Sequence, residues 1–160
     1  MHYCLLILTI GIPGSGKSTW VKEYLKQFPH GTFVISTDDL RKEITGIEQC
    51  VDPSQNGMIH EEARKRVKDI IDNSKKLCEE LGTWPVIIVD STNVDVDEWI
   101  AYRQLGASVM VAKLFEVPPE EAIKRMDNRE RKVPLEILQR KWNQLQSNKA
   151  AITKLFNMLL

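Results

Sequence analysis

Cysteine is scarce in this 160-residue sequence, and its three copies, Cys4, Cys50 and Cys78, are widely spaced and odd in number. No C-x-x-C pair occurs, which argues against a disulfide framework or a thiolate zinc site; an intracellular, cytoplasmic and reducing compartment fits best. Neither sign of charge is in excess, since 22 basic residues balance 22 acidic ones. That balance excludes a global positive field able to hold a long stretch of nucleic acid, so any polynucleotide partner is expected to be gripped at few phosphates. No apolar run approaches the roughly 20 residues of a membrane span. The apolar start "MHYCLLILTI" lacks a basic leader and a small-residue cleavage site, so it reads as a buried strand and no membrane partner is expected. His2, His30 and His60 form no ligand spacing. Trp20, Trp84, Trp99 and Trp142 read as core or edge packing rather than as stacking platforms for bases.

What is present is enough apolar residue, 42% of the chain, to bury a core without staples. A single domain over residues 1–160 is therefore expected, with an oligomeric state that the sequence leaves open. Short apolar or β-branched runs lie at 4–10, 33–36, 86–89 and 108–116, the first three apolar nearly throughout, as suits strands buried on both faces of a parallel sheet. Helical patterns fall between and after them, at 17–27, 38–45, 57–81, 97–104, 119–128 and 135–147. The long one at 57–81 carries Ile59, Ala63, Val67, Ile70, Ile71 and Leu77 as its apolar stripe. The last stretch, "TKLFNMLL", reads as the end of a helix that packs on the domain. Alternation of strand and helix predicts an α/β fold, a parallel sheet of about four or five strands with helices on both faces. Ligands of such sheets bind beyond the carboxyl ends of the strands, which puts the functional weight on "GIPGSGKST", "STDDLR" and "DSTN".

Gly11, Gly16, Lys17 and Ser18 satisfy G-x-x-x-x-G-K-[ST] directly after a strand and at the opening of a helix. Such a phosphate-binding loop needs glycines so that successive backbone N–H groups converge on phosphate oxygens, and the following helix adds its positive dipole end. The candidate nucleotide-binding residues are Gly11, Pro13, Gly14, Ser15, Gly16, Lys17, Ser18 and Thr19. Lys17 is expected to reach the β and γ phosphates of ATP, and the Ser18 hydroxyl to ligate Mg2+. The guanine motif of GTPases is missing, since "NKAA" at 148–151 lacks the aspartate, and the chain is short for a motor or a ring ATPase. A small phosphotransferase remains.

Asp90 ends "VIIVD" at the ligand edge, where an acidic residue commonly holds magnesium through water; it is a candidate for the metal or the acceptor, its plainer role being to cap the following turn. In "STDDLR", Ser36 and Asp39 resemble a capping box, which leaves Asp38 to orient an acceptor hydroxyl and take its proton. Arg41, one turn on, would bind an anion on the acceptor. From spacing alone, an ordinary acid-rich first turn with an i, i+3 ion pair explains the same residues. Arg125, Arg129, Arg131 and Lys132 crowd the segment before Pro134, either as a solvated face or as an arginine-bearing lid that closes on a triphosphate.

Taken in order, "LTIGIPGSGKSTW", "DDLR", "DSTN", "LFEVPPEEAIKR" and "VPLEIL" resemble the kinase domain of the bacteriophage 5'-hydroxyl polynucleotide kinase family over nearly the whole chain. The resemblance implies a P-loop kinase fold and transfer of the γ phosphate of ATP, with magnesium, to the 5' hydroxyl of a DNA or RNA end. It implies that Lys17 and Ser18 serve phosphates and metal, that Asp38 is the general base, and that Arg41 holds the phosphate 3' to the acceptor nucleotide. Arg129 corresponds to the lid arginine and Arg125 to a second one beside it. Val133 and Pro134 correspond to an apolar element against the acceptor base. The family's "SDTN"-like segment reads "DSTN" here, which leaves open whether Asp90 or Ser91 reaches the substrate, and the lid is one residue shorter. No D-x-D-G-T motif of a 3' phosphatase occurs. Two other readings of the loop stay open: a kinase of a small alcohol such as a nucleoside, sugar or antibiotic, and a non-catalytic module that binds ATP.

Overall fold

The structure is a computed structural model that describes residues 3–48, 52–127 and 132–160. Among them, five parallel strands form one sheet in the order β2-β3-β1-β4-β5: β1 (Leu5–Ile10), β2 (Thr32–Ser36), β3 (Val86–Asp90), β4 (Val109–Leu114) and β5 (Met158–Leu159). The three central strands alternate sides in the way a doubly covered sheet requires. Leu6, Leu8, Ile10, Ile87, Val89, Met110 and Ala112 enter the larger core, while Ile7, Ile88 and Val111 enter the opposite one.

Helices cover both faces. Helix α1 (Lys17–Gln27) packs Val21 against Ile7, Ile88 and Val111 on one side. On the other lie α3 (Asn56–Asp72) and α5 (Val96–Arg103), which bury Val67, Ile71, Trp99 and Tyr102, joined by Leu145 of α7 (Leu135–Asn148) and Ile152 of α8 (Ile152–Leu155). Helix α2 (Thr37–Thr45) follows β2 directly and packs Leu40 against Ile59 and Ala63. Helix α6 (Pro119–Met126) brings Ala122 and Met126 onto Ile12 of the glycine loop, together with Leu138.

Three expectations need correction. The helical pattern at 57–81 is two helices, α3 and α4 (Ser74–Leu81), broken at Asn73. The Asn73 side chain donates to the Asp69 carbonyl at 2.8 Å, competing with the helical ladder as short amide side chains do. Second, β2 is an edge strand and half-buried along its whole length rather than covered on both faces. Third, the carboxyl-terminal stretch leaves its helix at Leu155 and forms β5, because Asn157 bonds the end of the sheet. Its N–H donates to the Met110 carbonyl at 2.8 Å, and its Oδ1 accepts from Met110 N–H at 2.9 Å. Trp99 lies fully in the core with Nε1 donating to the Asn93 carbonyl, whereas Trp84 is half-exposed at an edge against Tyr3. No helix among the described residues is long and apolar enough to cross a membrane.

Candidate functional site

The phosphate loop leaves β1 at Gly11 and turns into α1 at Gly16, whose φ of 97° lies in the left-handed region that only glycine adopts at no cost. The turn is as tight as its sequence suggests. A Cβ on Gly11 would stand 2.6 Å from Ser15 Oγ and 2.9 Å from Phe115 Cβ, and one on Gly14 (φ 80°) would stand 2.8 Å from the Ala122 carbonyl oxygen of α6. Pro13 is half-buried between them. No side chain caps α1 and no acid stands in its first turn, in contrast to α2, where Ser36 accepts from Asp39 N–H. An amino end with neither a cap nor an acid can accept an external anion. Lys17 is buried at the loop, its Nζ donating to the Ile12 carbonyl at 2.8 Å, with Ser15 Oγ at 3.5 Å. Ser18 and Thr19 are exposed on the first turn.

Asp90 stands across from Ser18. Burial pushes its carboxyl above the ordinary aspartate range, and the nearby Asp38 and Asp39 push the same way; a hydrogen bond from Ser18 and the positive charge of Lys17 pull it back only in part. A divalent cation between Ser18, Asp90 and phosphate oxygens fits this set, because it would relieve both the burial and the clustered negative charge. The two candidates in "DSTN" differ in their partners. Ser91 is buried and its hydroxyl accepts from Thr37 Oγ1 at 3.1 Å, so it is Asp90 that faces Ser18 and Lys17.

In the first turns of α2, after the edge strand, Asp38 and Arg41 form an i, i+3 ion pair, Arg41 NH1 donating to Asp38 Oδ1 at 2.8 Å. Its two halves differ in exposure, the Arg41 side chain being buried and the Asp38 side chain 44% exposed. Arg41 is 8% exposed, and its NH2 also donates to Asn56 Oδ1 at 3.2 Å, at the start of α3. With NH1 also donating to the Glu48 carbonyl at 3.5 Å, the guanidinium is held in a fixed direction.

On the far side of the loop, Arg125 leans over Gly16, its NH1 3.9 Å from where a Cβ would be, while its Nε donates to Glu121 at 3.1 Å. Arg129 and Arg131 lie outside the described residues. Val133 is half-buried against Ile12, Ala122 and Met126, in a shallow groove shared with Ile123, Lys132, Pro134 and Leu135. It is therefore beside the glycine loop rather than beside Asp38 and Arg41.

Polar residues lie beneath the site, of which sequence reasoning named Ser91 and passed over the other three. Thr9, Thr37, Ser91 and Asn93 are all buried. Asn93, at φ 46°, donates from Nδ2 to the Thr9 carbonyl at 2.8 Å. A threonine inside the apolar run "LLILTI" is the one signal that pointed to them.

The family described as an AAA domain matches residues 6–151. Among solved structures, a chain of the Pnkp1/Rnl/Hen1 RNA repair complex superposes with a TM-score of 0.74 at 22% identity, covering 94% of this chain and 46% of that one. A chain from a second Pnkp1/Rnl/Hen1 complex gives 0.60 at 24% identity, covering 82% and 42%. A gluconokinase from Sinorhizobium meliloti 1021 gives 0.60 at 16% identity, covering 99% and 82%. At these identities the likeness is one of fold, and the chain spans less than half the length of the two RNA repair chains it matches.

Proposed function

The chain belongs to the AAA-domain family, and on that premise we propose that it is an ATP-dependent kinase that phosphorylates the 5' hydroxyl of a nucleic-acid end. The observation that carries this reading is Arg41: a guanidinium 8% exposed, bonded to Asp38 and Asn56, one helical turn from the Asp38 carboxylate at the start of α2, on the same edge of the sheet as the phosphate loop and two strands from it. A small neutral alcohol has no use for a fixed buried cation. An acceptor hydroxyl flanked by a phosphate does.

In this reading Lys17 and the amides of residues 11–19 bind the donor's phosphates; Ser18 and Asp90 would hold Mg2+, which would screen the charge on the transferring oxygens. Arg41 binds the phosphate on the 3' side of the acceptor nucleotide and so fixes its 5' oxygen. As that oxygen forms its bond to the γ phosphorus, the bond to the leaving ADP breaks and the hydroxyl proton passes to Asp38. Arg125, over Gly16, adds positive charge beside the donor; Arg129 is proposed as its lid partner on the strength of the sequence resemblance. Val133 is assigned to the rim of the donor side.

Transfer of labelled γ phosphate from ATP to a 5'-hydroxyl oligonucleotide tests the reading. Wild type is expected to label it, and Asp38→Asn to lose at least ~100-fold in turnover while binding ATP normally. Undiminished labelling by Asp38→Asn would remove Asp38 from the chemistry. The gluconokinase likeness supports a second reading, a polyol or sugar acceptor, and labelling of such an alcohol but not of the oligonucleotide would favour it.

A further inference from the structure

Thr37 and Ser91 touch neither donor nor acceptor in the scheme above, yet both are buried, at 5% and 8% exposure, and Thr37 Oγ1 donates to Ser91 Oγ at 3.1 Å. Their place in the sheet gives this bond a task. The β2–β3 ladder ends at the pair Ser36 and Asp90, so Thr37 and Ser91 are the next rung, made by side chains where the backbone ladder has stopped. From Ser91 the connection continues inward. Its N–H donates to Thr9 Oγ1 at 3.3 Å, and that hydroxyl donates to the Val89 and Ser91 carbonyls at 3.1 and 3.0 Å. Thr9 stands two residues before Gly11, whose own N–H donates to the Thr92 carbonyl at 3.0 Å. A continuous set of buried bonds therefore joins the first turn of α2 to the phosphate loop across β3.

The geometry demands such a tie. β2 has one strand neighbour, so the residues that follow it are held to the rest of the sheet from one side only. Asp38 must nevertheless keep its distance to a γ phosphate bound beyond β1, two strands away, and a misplacement of about 1 Å is enough to cost roughly a hundredfold in turnover. We propose that Thr37 and Ser91 are positioning residues, whose hydroxyl bond sets the gap between Asp38 and the phosphate loop. This inference rests on the kinase reading.

The test compares Thr37→Val, which keeps the shape and removes the hydroxyl, with Thr37→Ser, which keeps the hydroxyl, both checked for folding by thermal melting. For Thr37→Val, kcat is expected to fall roughly ten- to a hundredfold while KM for ATP and for a 5'-hydroxyl oligonucleotide stay within about twofold; Thr37→Ser should retain most of kcat. Amide hydrogen exchange over residues 37–40, in the ligand-free protein, should quicken in Thr37→Val alone. A wild-type kcat in Thr37→Val, a loss confined to KM, or an equal loss in Thr37→Ser would overturn the assignment. Absence of transfer by wild type to any acceptor would sink the kinase reading instead, and unchanged exchange in Thr37→Val would then overturn the tie on its own.

Discussion

In the proposed reaction, acceptor choice turns on Arg41. A lysine there offers one point charge in place of a fork, so it cannot bond Asp38 and Asn56 and still aim donors at a phosphate. Arg41→Lys should raise KM for a 3'-phosphorylated acceptor by about tenfold or more with a smaller change in kcat, as steady-state kinetics with saturating ATP will show. Asp90 makes a second prediction. Because the fold raises its carboxyl above the ordinary value, the group's neutral form is favoured in the folded protein. Its favourable contribution is complete below the ordinary aspartate range and is lost as pH rises through the raised value. Asp90→Asn should therefore increase the melting temperature of the ligand-free protein at neutral pH while lowering affinity for Mg2+ with ATP. A lower melting temperature would mean that the carboxylate is a structural cap. At this scale the glycines, Lys17, Ser18, Asp38 and Arg41 were legible because each has a fixed offset from a strand end. The bonds of Thr37, Ser91 and Asn56 were not, since their partners lie 54, 82 and 15 positions away in sequence.

Among the elements, α6 and the phosphate loop constrain each other. Gly14 has φ 80° and no space for a Cβ against the Ala122 carbonyl, so Gly14→Ala must move α6 as well as strain the loop. A loss of about 1–3 kcal/mol in unfolding free energy is expected, with weakened ATP binding, measured by denaturant melts and nucleotide titration. Wild-type values for both would show that the loop has room to adjust. The start of α2 was readable in advance, because the Ser36 cap uses only local chemistry and the structure has it accepting from Asp39 N–H at 3.2 Å. The break at Asn73 was not. The apolar stripe runs on through it from Val67 to Leu77, and the interruption comes from one side-chain bond to Asp69.

For the whole molecule, the strand order β2-β3-β1-β4-β5 places the phosphate loop at the centre and the acceptor residues two strands to one side, with α6 and Arg125 on the other. Alternating apolar runs announced the parallel sheet but not its edges. β2 carries the apolar run Phe33, Val34 and Ile35 yet is half-buried, and β5 is two residues long, too short for any periodicity. Net charge is zero, so acceptor affinity must come from local groups such as Arg41 rather than from a long-range field. In the proposed function, this chain reads the phosphate next to an acceptor hydroxyl. The direct measurement is the rate of γ-phosphate transfer from ATP to a nucleoside 3'-phosphate against the same nucleoside without it. A kcat/KM at least ~100-fold higher for the phosphorylated acceptor is predicted, from a charge-assisted pair of about 3 kcal/mol; equal values would contradict it and assign Arg41 to the fold alone.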